Sequence, residues 1–137
     1  MQQSEELKNL TLQFYEAITK GDYPGVERML SKDKGVLGIG TEPKEWMEGY
    51  TEFSRVLKAQ LEETGGFPFV ANNPRAWKEG TVGWVADDPK LKLPDGKEMP
   101  ARFTVVFRKE NEGWKIVHLH VSFGISNEEV FGQTLTT

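Results

Sequence analysis

The sequence predicts an α+β domain in which three N-terminal helices cover one face of a highly curved, mainly antiparallel sheet. Two observations carry this prediction. Apolar residues recur at helical spacing in the first half of the chain, and from Phe67 onward the period changes to the alternation of strands. A length of 137 residues suits one domain with one core. We therefore expect a single domain, with its core over about residues 5–124 and a C-terminal arm over residues 125–137.

The helices are predicted from apolar spacing and from their end residues. The first helix covers about residues 4–20, with Ser4 as its cap and Gly21 at its end. A short second helix follows Gly21, and a third covers about residues 51–63. Between them, residues 36–40 form a short strand-like run with glycines, and residues 41–49 are predicted to be a loop or a single turn.

The second half of the chain is predicted to be a meander of strands separated by turn residues. The strands cover about residues 67–72, residues 75–86 with a kink at Gly80, residues 98–109 and residues 114–124. Ser126 and Glu129 have the spacing of a capping box, which favours a short C-terminal helix or an ordered arm.

Composition and charge exclude several classes of function. The chain has a net charge of −4 and no dense basic cluster, which argues against nucleic acid or an anionic membrane as a partner. It has no cysteine, which excludes disulfides, thiolate nucleophiles and thiolate metal sites. No apolar run reaches the length of about 20 residues that a membrane helix needs, and the first residues lack a signal-peptide pattern. We expect a cytoplasmic protein.

The last predicted strand carries both histidines of the chain, two residues apart. Side chains on a strand alternate between its two faces. One face is therefore predicted to hold Trp114, Ile116, His118, His120 and Ser122. The opposite face is predicted to hold Lys115, Val117, Leu119, Val121 and Phe123.

Five segments together resemble the SnoaL-like domain family of the nuclear-transport-factor-2-like superfamily. They are Ala17-Ile-Thr-Lys-Gly-Asp22, Trp46-Met-Glu-Gly49, Leu93-Pro-Asp-Gly-Lys97, Arg102-Phe-Thr-Val-Val-Phe-Arg108 and Gly113-Trp-Lys-Ile-Val-His-Leu-His-Val-Ser122. The last segment is also similar to the association domain of calcium/calmodulin-dependent kinase II. The resemblance implies a cone-shaped half-barrel whose concave face is covered by the helices. It does not imply one reaction, because this fold hosts isomerases, dehydratases, cyclases and binding-only modules.

The ketosteroid isomerases of this superfamily need an oxyanion tyrosine, a carboxylate base and a second acidic donor. By this resemblance the tyrosine position falls on Phe14, which has no hydroxyl group. The base falls on Gly38, or on Glu42 if the Glu-Pro pair is aligned, and residues 101–103 contain no acid. These departures argue against isomerase chemistry of that type.

The histidine pair suggests either a metal site or a packed surface. Two histidines on one face of a strand can bind zinc or iron, but no third histidine or cysteine exists and no carboxylate stands at a recognisable spacing. We therefore predict no metal. We expect a homodimer interface, since this sheet face often packs against a second subunit in the superfamily. The predicted interface residues are Trp114, Ile116, His118 and His120.

Arg102 is the candidate anchor for an anionic ligand, because a charged residue at the start of an apolar strand needs a partner. A salt bridge to Glu98 or Asp88 is the alternative, and the sequence leaves both open. By resemblance to the kinase domain, pocket positions fall at Thr104 and Val121. The aromatic residues of the chain could line the same pocket or fill the core. The predicted pocket residues are Tyr15, Trp46, Trp84, Arg102, Thr104, Leu119 and Val121.

Two hypotheses of function follow. The first is a homodimeric small-molecule-binding or sensing domain whose conical pocket holds a ligand such as a small organic acid. The second is a cofactor-independent acid–base enzyme of isomerase, dehydratase or cyclase type that acts on a small hydrophobic substrate, with Tyr15, Glu42 or His118 as proton carriers and Arg102 as electrophile. Both hypotheses predict a small-molecule partner and no cofactor.

Overall fold

The computed structural model describes residues 1–137 and contains four helices and nine strands. The helices are α1 (Glu5–Lys20), α2 (Tyr23–Met29), α3 (Gly49–Thr64) and α4 (Asn127–Phe131). The strands are β1 (Gln2–Gln3), β2 (Leu37–Ile39), β3 (Trp46–Glu48), β4 (Phe69–Val70), β5 (Arg75–Glu79), β6 (Val82–Asp87), β7 (Lys90–Lys92), β8 (Glu98–Glu110) and β9 (Gly113–Phe123).

The strands form one curved sheet in the order β1-β5-β6-β8-β9-β2-β3, and β7 pairs with both β4 and the first part of β8. Every pairing is antiparallel except that of β2 with β9, which is parallel. The three N-terminal helices pack on the concave face, so the predicted α+β fold class is confirmed. The cavity described below lies between these helices and the sheet.

The first helix begins and ends where its sequence predicts. The Ser4 hydroxyl accepts a hydrogen bond from the Leu7 backbone N–H at 3.2 Å, and Gly21 ends the helix with a φ of 69°. That positive φ suits glycine, because other residues pay a steric cost there. One face of α1 is buried, and this face positions Phe14 and Ile18 over the concave side of the sheet.

The core fills the space between the helices and the concave face of the sheet. Its largest fully buried side chains come from both layers; among them are Phe53 of α3 and Phe103 and Phe107 of β8. Gly38 of β2 lets α3 approach the sheet closely, because a Cβ at this position would collide with the ring of Phe53. No helix is both long enough and apolar enough to cross a membrane.

The structure corrects three local predictions. The predicted kinked strand over residues 75–86 is a hairpin of β5 and β6, because Gly80, with a φ of 59°, forms a two-residue turn with Thr81. The predicted loop over residues 41–49 contains β3, which pairs with β2. The predicted strand over residues 67–72 is regular only over β4, and β7 was not predicted. The C-terminal helix is confirmed, with the Ser126 hydroxyl accepting from the Glu129 N–H at 3.2 Å.

Candidate functional site

A cavity of about 360 Å³ lies between α1, α3 and the concave face of the sheet. This volume is within the range of small-molecule sites, about 300–1,000 Å³. Thirteen of its 18 lining residues are hydrophobic. The hydrophobic residues are Phe14, Ile18, Ile39, Met47, Phe53, Val56, Leu57, Phe67, Phe69, Leu91, Phe103, Leu119 and Val121. The remaining five are Gly40, Thr41, Glu45, Gln60 and Thr64.

Aromatic packing fixes one wall of the cavity. The rings of Phe14 and Phe103 stack with their centroids 5.8 Å apart, and Phe69 meets Phe103 edge-on at 5.9 Å. Such pairs stabilise a fixed arrangement beyond the gain from burying their area. The cavity therefore has a rigid aromatic wall contributed by α1, β4 and β8.

Helix α3 supplies the opposite wall through residues at helical spacing. Phe53, Leu57, Gln60 and Thr64 recur at intervals of three or four, so they lie on one face of the helix. The face changes from apolar to polar toward the C-terminal end of α3. The carboxamide of Gln60 therefore lies at the same end of the cavity as Glu45.

A bulge in β9 decides which of its side chains face the cavity. Val106 of β8 pairs with His118, but the next residue, Phe107, pairs with Ile116, so Val117 is an extra residue without a partner. Beyond the bulge, Leu119 and Val121 line the cavity. Before it, Ile116 is fully buried in the core rather than on the histidine face.

Glu45 is the one ionisable residue that lines the cavity. Its Oε1 accepts from the Glu42 backbone N–H at 3.2 Å, and its Oε2 accepts from Gln60 Nε2 at 3.4 Å. Gly40 makes room for the carboxylate, because a Cβ on this residue would collide with Glu45 Oε2. The pairing of β2 with β3 places Glu45 directly beside Gly40, whose N–H donates to the Glu45 carbonyl at 2.9 Å. The arrangement offers a positioned carboxylate in an apolar cavity.

Comparison with known proteins identifies the family. The family model of the SnoaL-like domain matches residues 7–126. The chain belongs to the SnoaL-like domain family. The match covers most of the chain and confirms the resemblance found in the sequence. No curated protein matches the chain.

Solved structures similar to this SnoaL-like domain share its fold at low identity. An NTF2-like protein of unknown function from Pseudomonas putida KT2440 is 17% identical with a TM-score of 0.79, over 95% of this chain and 91% of that one. A protein named as a candidate dehydratase of the NTF2-like family, from Streptomyces avermitilis, is 17% identical with a TM-score of 0.76, over 89% and 96%. A candidate calcium/calmodulin-dependent kinase II association domain from Thiobacillus denitrificans is 18% identical with a TM-score of 0.74, over 86% and 94%. At these identities the likeness shows the fold alone.

Of the predicted pocket residues, the SnoaL-like domain places Leu119 and Val121 at the cavity and five others elsewhere. Tyr15 is buried beside the cavity wall, and its hydroxyl donates to Asp87 Oδ2 at 3.1 Å. Burial, followed by the charge of Asp87, raises the pKa of Tyr15 well above its usual value. Asp87 also accepts from the backbone N–H groups of Asn72, Asn73 and Asp88. The Asp87 carboxylate therefore connects α1 to the chain segments that follow β4 and β6, and it is not open to a ligand.

Arg102 and Thr104 lie on the outer face of the sheet, which corrects their assignment to the pocket. The inward-pointing residues of β8 include Ala101, Phe103 and Val105, and alternation turns the intervening residues outward. Arg102 is exposed and forms neither of the salt bridges weighed from the sequence. Glu98 pairs with Lys90 instead, with N and O atoms 3.5 Å apart.

Trp84 and Trp46 also lie outside the cavity. Trp84 of β6 is half-buried on the outer face, because the strand alternates and its neighbours Gly83 and Val85 are buried on the inner face. Trp46 is 59% exposed at the sheet edge, where its indole N–H donates to Glu48 Oε1 at 3.1 Å. The pocket prediction for both tryptophans is therefore wrong.

The remaining predicted catalytic residues do not reach the cavity. Glu42 is exposed, and its Oε2 accepts from the Lys44 N–H at 2.7 Å. His118 is half-buried on the outer face, with Nδ1 2.8 Å from the Leu37 carbonyl oxygen. His120 is exposed on the same face. No group of three or more His, Asp or Glu side chains is placed to hold a metal ion.

Two members of the predicted dimer interface are buried inside the chain. Ile116 is fully buried, and the indole N–H of Trp114 donates to Glu6 Oε1 at 3.0 Å. The bulge at Val117 is the reason, since it reverses the faces of all residues before it. Neither side chain lies on the outer face of the sheet. An interface through His118 and His120 stays a prediction.

Sequence reasoning missed Glu45 and Gln60. The signal for Gln60 was its spacing from Phe53 and Leu57, which puts it on the inward face of the third helix. Glu45 carried no such signal, because its position depends on the pairing of β2 with β3.

Proposed function

We propose that the protein is a small-molecule-binding domain whose cavity holds a predominantly apolar molecule, with Glu45 and Gln60 as its polar contacts. The observation that supports this proposal is the lining of the cavity, which is apolar except at one end. Ligand sites commonly combine an apolar wall with a few convergent polar groups. A small organic acid does not suit this site, because the lining contains no cation and one carboxylate.

The cavity can be tested by filling it. Val121→Trp places an indole in the cavity, whereas Val82→Trp makes the same exchange on the outer face, where Val82 is 48% exposed. Wild type and both variants are screened by saturation-transfer NMR against neutral aromatic and cycloaliphatic alcohols. We expect binding to the wild type and to Val82→Trp, and none to Val121→Trp. Equal binding to all three proteins would place the ligand outside the cavity, and no binding to any would contradict the proposal.

A second candidate function is a cofactor-independent acid–base enzyme in which Glu45 is the base. The supporting observation is that its carboxylate is positioned by two hydrogen bonds inside an apolar cavity, an environment suited to proton abstraction. Glu45→Gln keeps the shape of the side chain and removes the base, so turnover of any substrate found should fall by about a hundredfold or more. Unchanged turnover would exclude this function.

We also propose that two copies pack through the outer face of the sheet. A row of half-buried side chains crosses four adjacent strands there, formed by Trp77, Trp84, Val106 and His118. Aromatic side chains are enriched at the centres of interfaces. Trp84→Glu should convert a dimer to a monomer in analytical ultracentrifugation, whereas Leu12→Glu on the partly exposed side of α1 should not. A wild-type monomer at micromolar concentration would contradict the proposal.

A further inference from the structure

The charge inside the cavity is negative and unbalanced. Glu45 is its one ionisable lining residue, and no lysine, arginine or histidine lines it. Glu45 is also absent from every salt bridge of the chain. A carboxylate beside an apolar space is most favourable when a cation approaches it from that space.

The carboxylate retains the capacity to accept further hydrogen bonds. It has about four lone-pair sites, and the protein uses two of them, through the Glu42 N–H and the Gln60 carboxamide. These two bonds are long, at 3.2 and 3.4 Å. They orient the carboxylate, and a charged donor at a shorter distance would form a stronger hydrogen bond than either of them.

The rest of the lining also suits a cationic ligand with an apolar body. Five phenylalanine residues line the cavity: Phe14, Phe53, Phe67, Phe69 and Phe103. Their rings bury an apolar ligand body at no polar cost.

We infer that the ligand is a small amphiphilic amine, whose protonated nitrogen binds the Glu45 carboxylate and whose hydrocarbon body fills the phenylalanine-lined cavity. This inference rests on the proposed binding function and specifies the chemical class of its ligand. Gln60 holds the carboxylate from the side of α3, and Gly40 leaves the space into which the carboxylate extends. The site would thereby favour the amine over an alcohol of the same shape, which has no charge, and over an acid, whose charge is negative.

Three probes that share a phenethyl group test the inference on the unmodified protein: phenethylamine, phenethyl alcohol and 3-phenylpropionate. Dissociation constants are measured by NMR titration at pH 7 and low ionic strength. We expect the amine to bind about tenfold or more tightly than the alcohol, a difference of about 1.4 kcal/mol or more, because the ammonium group adds an ion pair to the hydrogen bond that the alcohol can also donate. The acid should bind least, because its carboxylate repels that of Glu45. Equal affinity for amine and alcohol would overturn the amine inference and leave the binding function intact. No binding of any probe would contradict both.

Two matched variants test whether Glu45 causes the preference for the amine. Glu45→Gln should lower the affinity for the amine to that for the alcohol, with the affinity for the alcohol unchanged. Glu48→Gln removes a charge three residues away that lies outside the cavity, and should leave the amine preference within about twofold. An equal loss in both variants would show a general surface effect and overturn the assignment to Glu45. Retention of the preference in Glu45→Gln would do the same.

Discussion

The buried hydrogen bond between Tyr15 and Asp87 makes a quantitative prediction about stability. Tyr15→Phe removes the hydroxyl group and leaves the ring in place. A hydrogen bond to a charged group contributes about 1.5–3 kcal/mol, and the length of 3.1 Å places this bond at the weak end. Asp87 keeps three backbone donors, so the exchange leaves no orphaned charge. We expect the free energy of unfolding at pH 7 to fall by about 1–2 kcal/mol.

The same pair predicts an unusual response to alkaline pH. Burial and the nearby Asp87 raise the pKa of Tyr15 in the folded state above the unfolded value of about 10. Above that pH the unfolded chain releases the phenolic proton and the folded chain retains it. The unfolded state then binds fewer protons, so stability falls as pH rises, and Tyr15 alone accounts for a loss of about 1.4 kcal/mol by pH 11. The phenylalanine variant has no such loss.

Urea unfolding followed by tryptophan fluorescence at pH 7, 9 and 11 measures both effects. The difference between wild type and Tyr15→Phe should be constant from pH 7 to 9 and should nearly vanish at pH 11. Other groups that titrate in alkali are common to both proteins and cancel in the difference. A difference that stays constant up to pH 11 would refute the reasoning, because it would mean that the folded protein loses this proton as readily as the unfolded chain.

Three further predictions concern the cavity and the outer face. Gly40→Ala should abolish the preference for phenethylamine over phenethyl alcohol without changing the charge of the cavity, because the added methyl group displaces the Glu45 carboxylate. The same NMR titrations measure this preference. An unchanged preference would contradict the placement of the carboxylate. Gly38→Ala should lower the free energy of urea unfolding by about 1–3 kcal/mol, since its Cβ meets the ring of Phe53; a neutral effect would show that α3 can shift freely. Arg102→Ala should leave ligand affinity unchanged and stability within about 0.5 kcal/mol; a loss of affinity would return this arginine to the ligand site.

The fold could be predicted because its signals are local. The first helix is marked by Ser4, by the spacing of its apolar residues and by Gly21, and each of these acts within a few residues. The long strands β8 and β9 are marked by their length and by turn residues between them. The sequence predicts a kink at Gly80 where the structure has a hairpin, because a glycine suits both a strand kink and a tight turn and the sequence does not distinguish them.

The faces of β9 could not be predicted from alternation, because a bulge leaves no mark in this sequence. Val117 is an ordinary strand residue, yet its lack of a partner reverses every side chain before it. Leu119, which lies after the bulge, therefore faces inward as alternation predicts, whereas Ile116, which lies before it, is buried instead of lying on the predicted outer face. The sequence of β9 shows no break in its strand pattern, and only the pairing of β9 with β8 reveals the extra residue.

The position of Glu45 limits the chemistry that the enzyme alternative permits. The proton carriers that the sequence suggests lie outside the cavity, so one carboxylate must act alone; they are Tyr15, Glu42 and His118. A single carboxylate can remove a proton and return it to another atom of the same molecule, as in an isomerisation. A dehydration that needs a separate general acid would lack one, because the other polar side chains of the lining are neutral hydroxyl and carboxamide groups. If the cavity is catalytic, we therefore expect an isomerisation, whose product has the mass of its substrate. A product that has lost water would show instead that the Glu45 carboxyl both removes the proton and returns it to the leaving hydroxyl group.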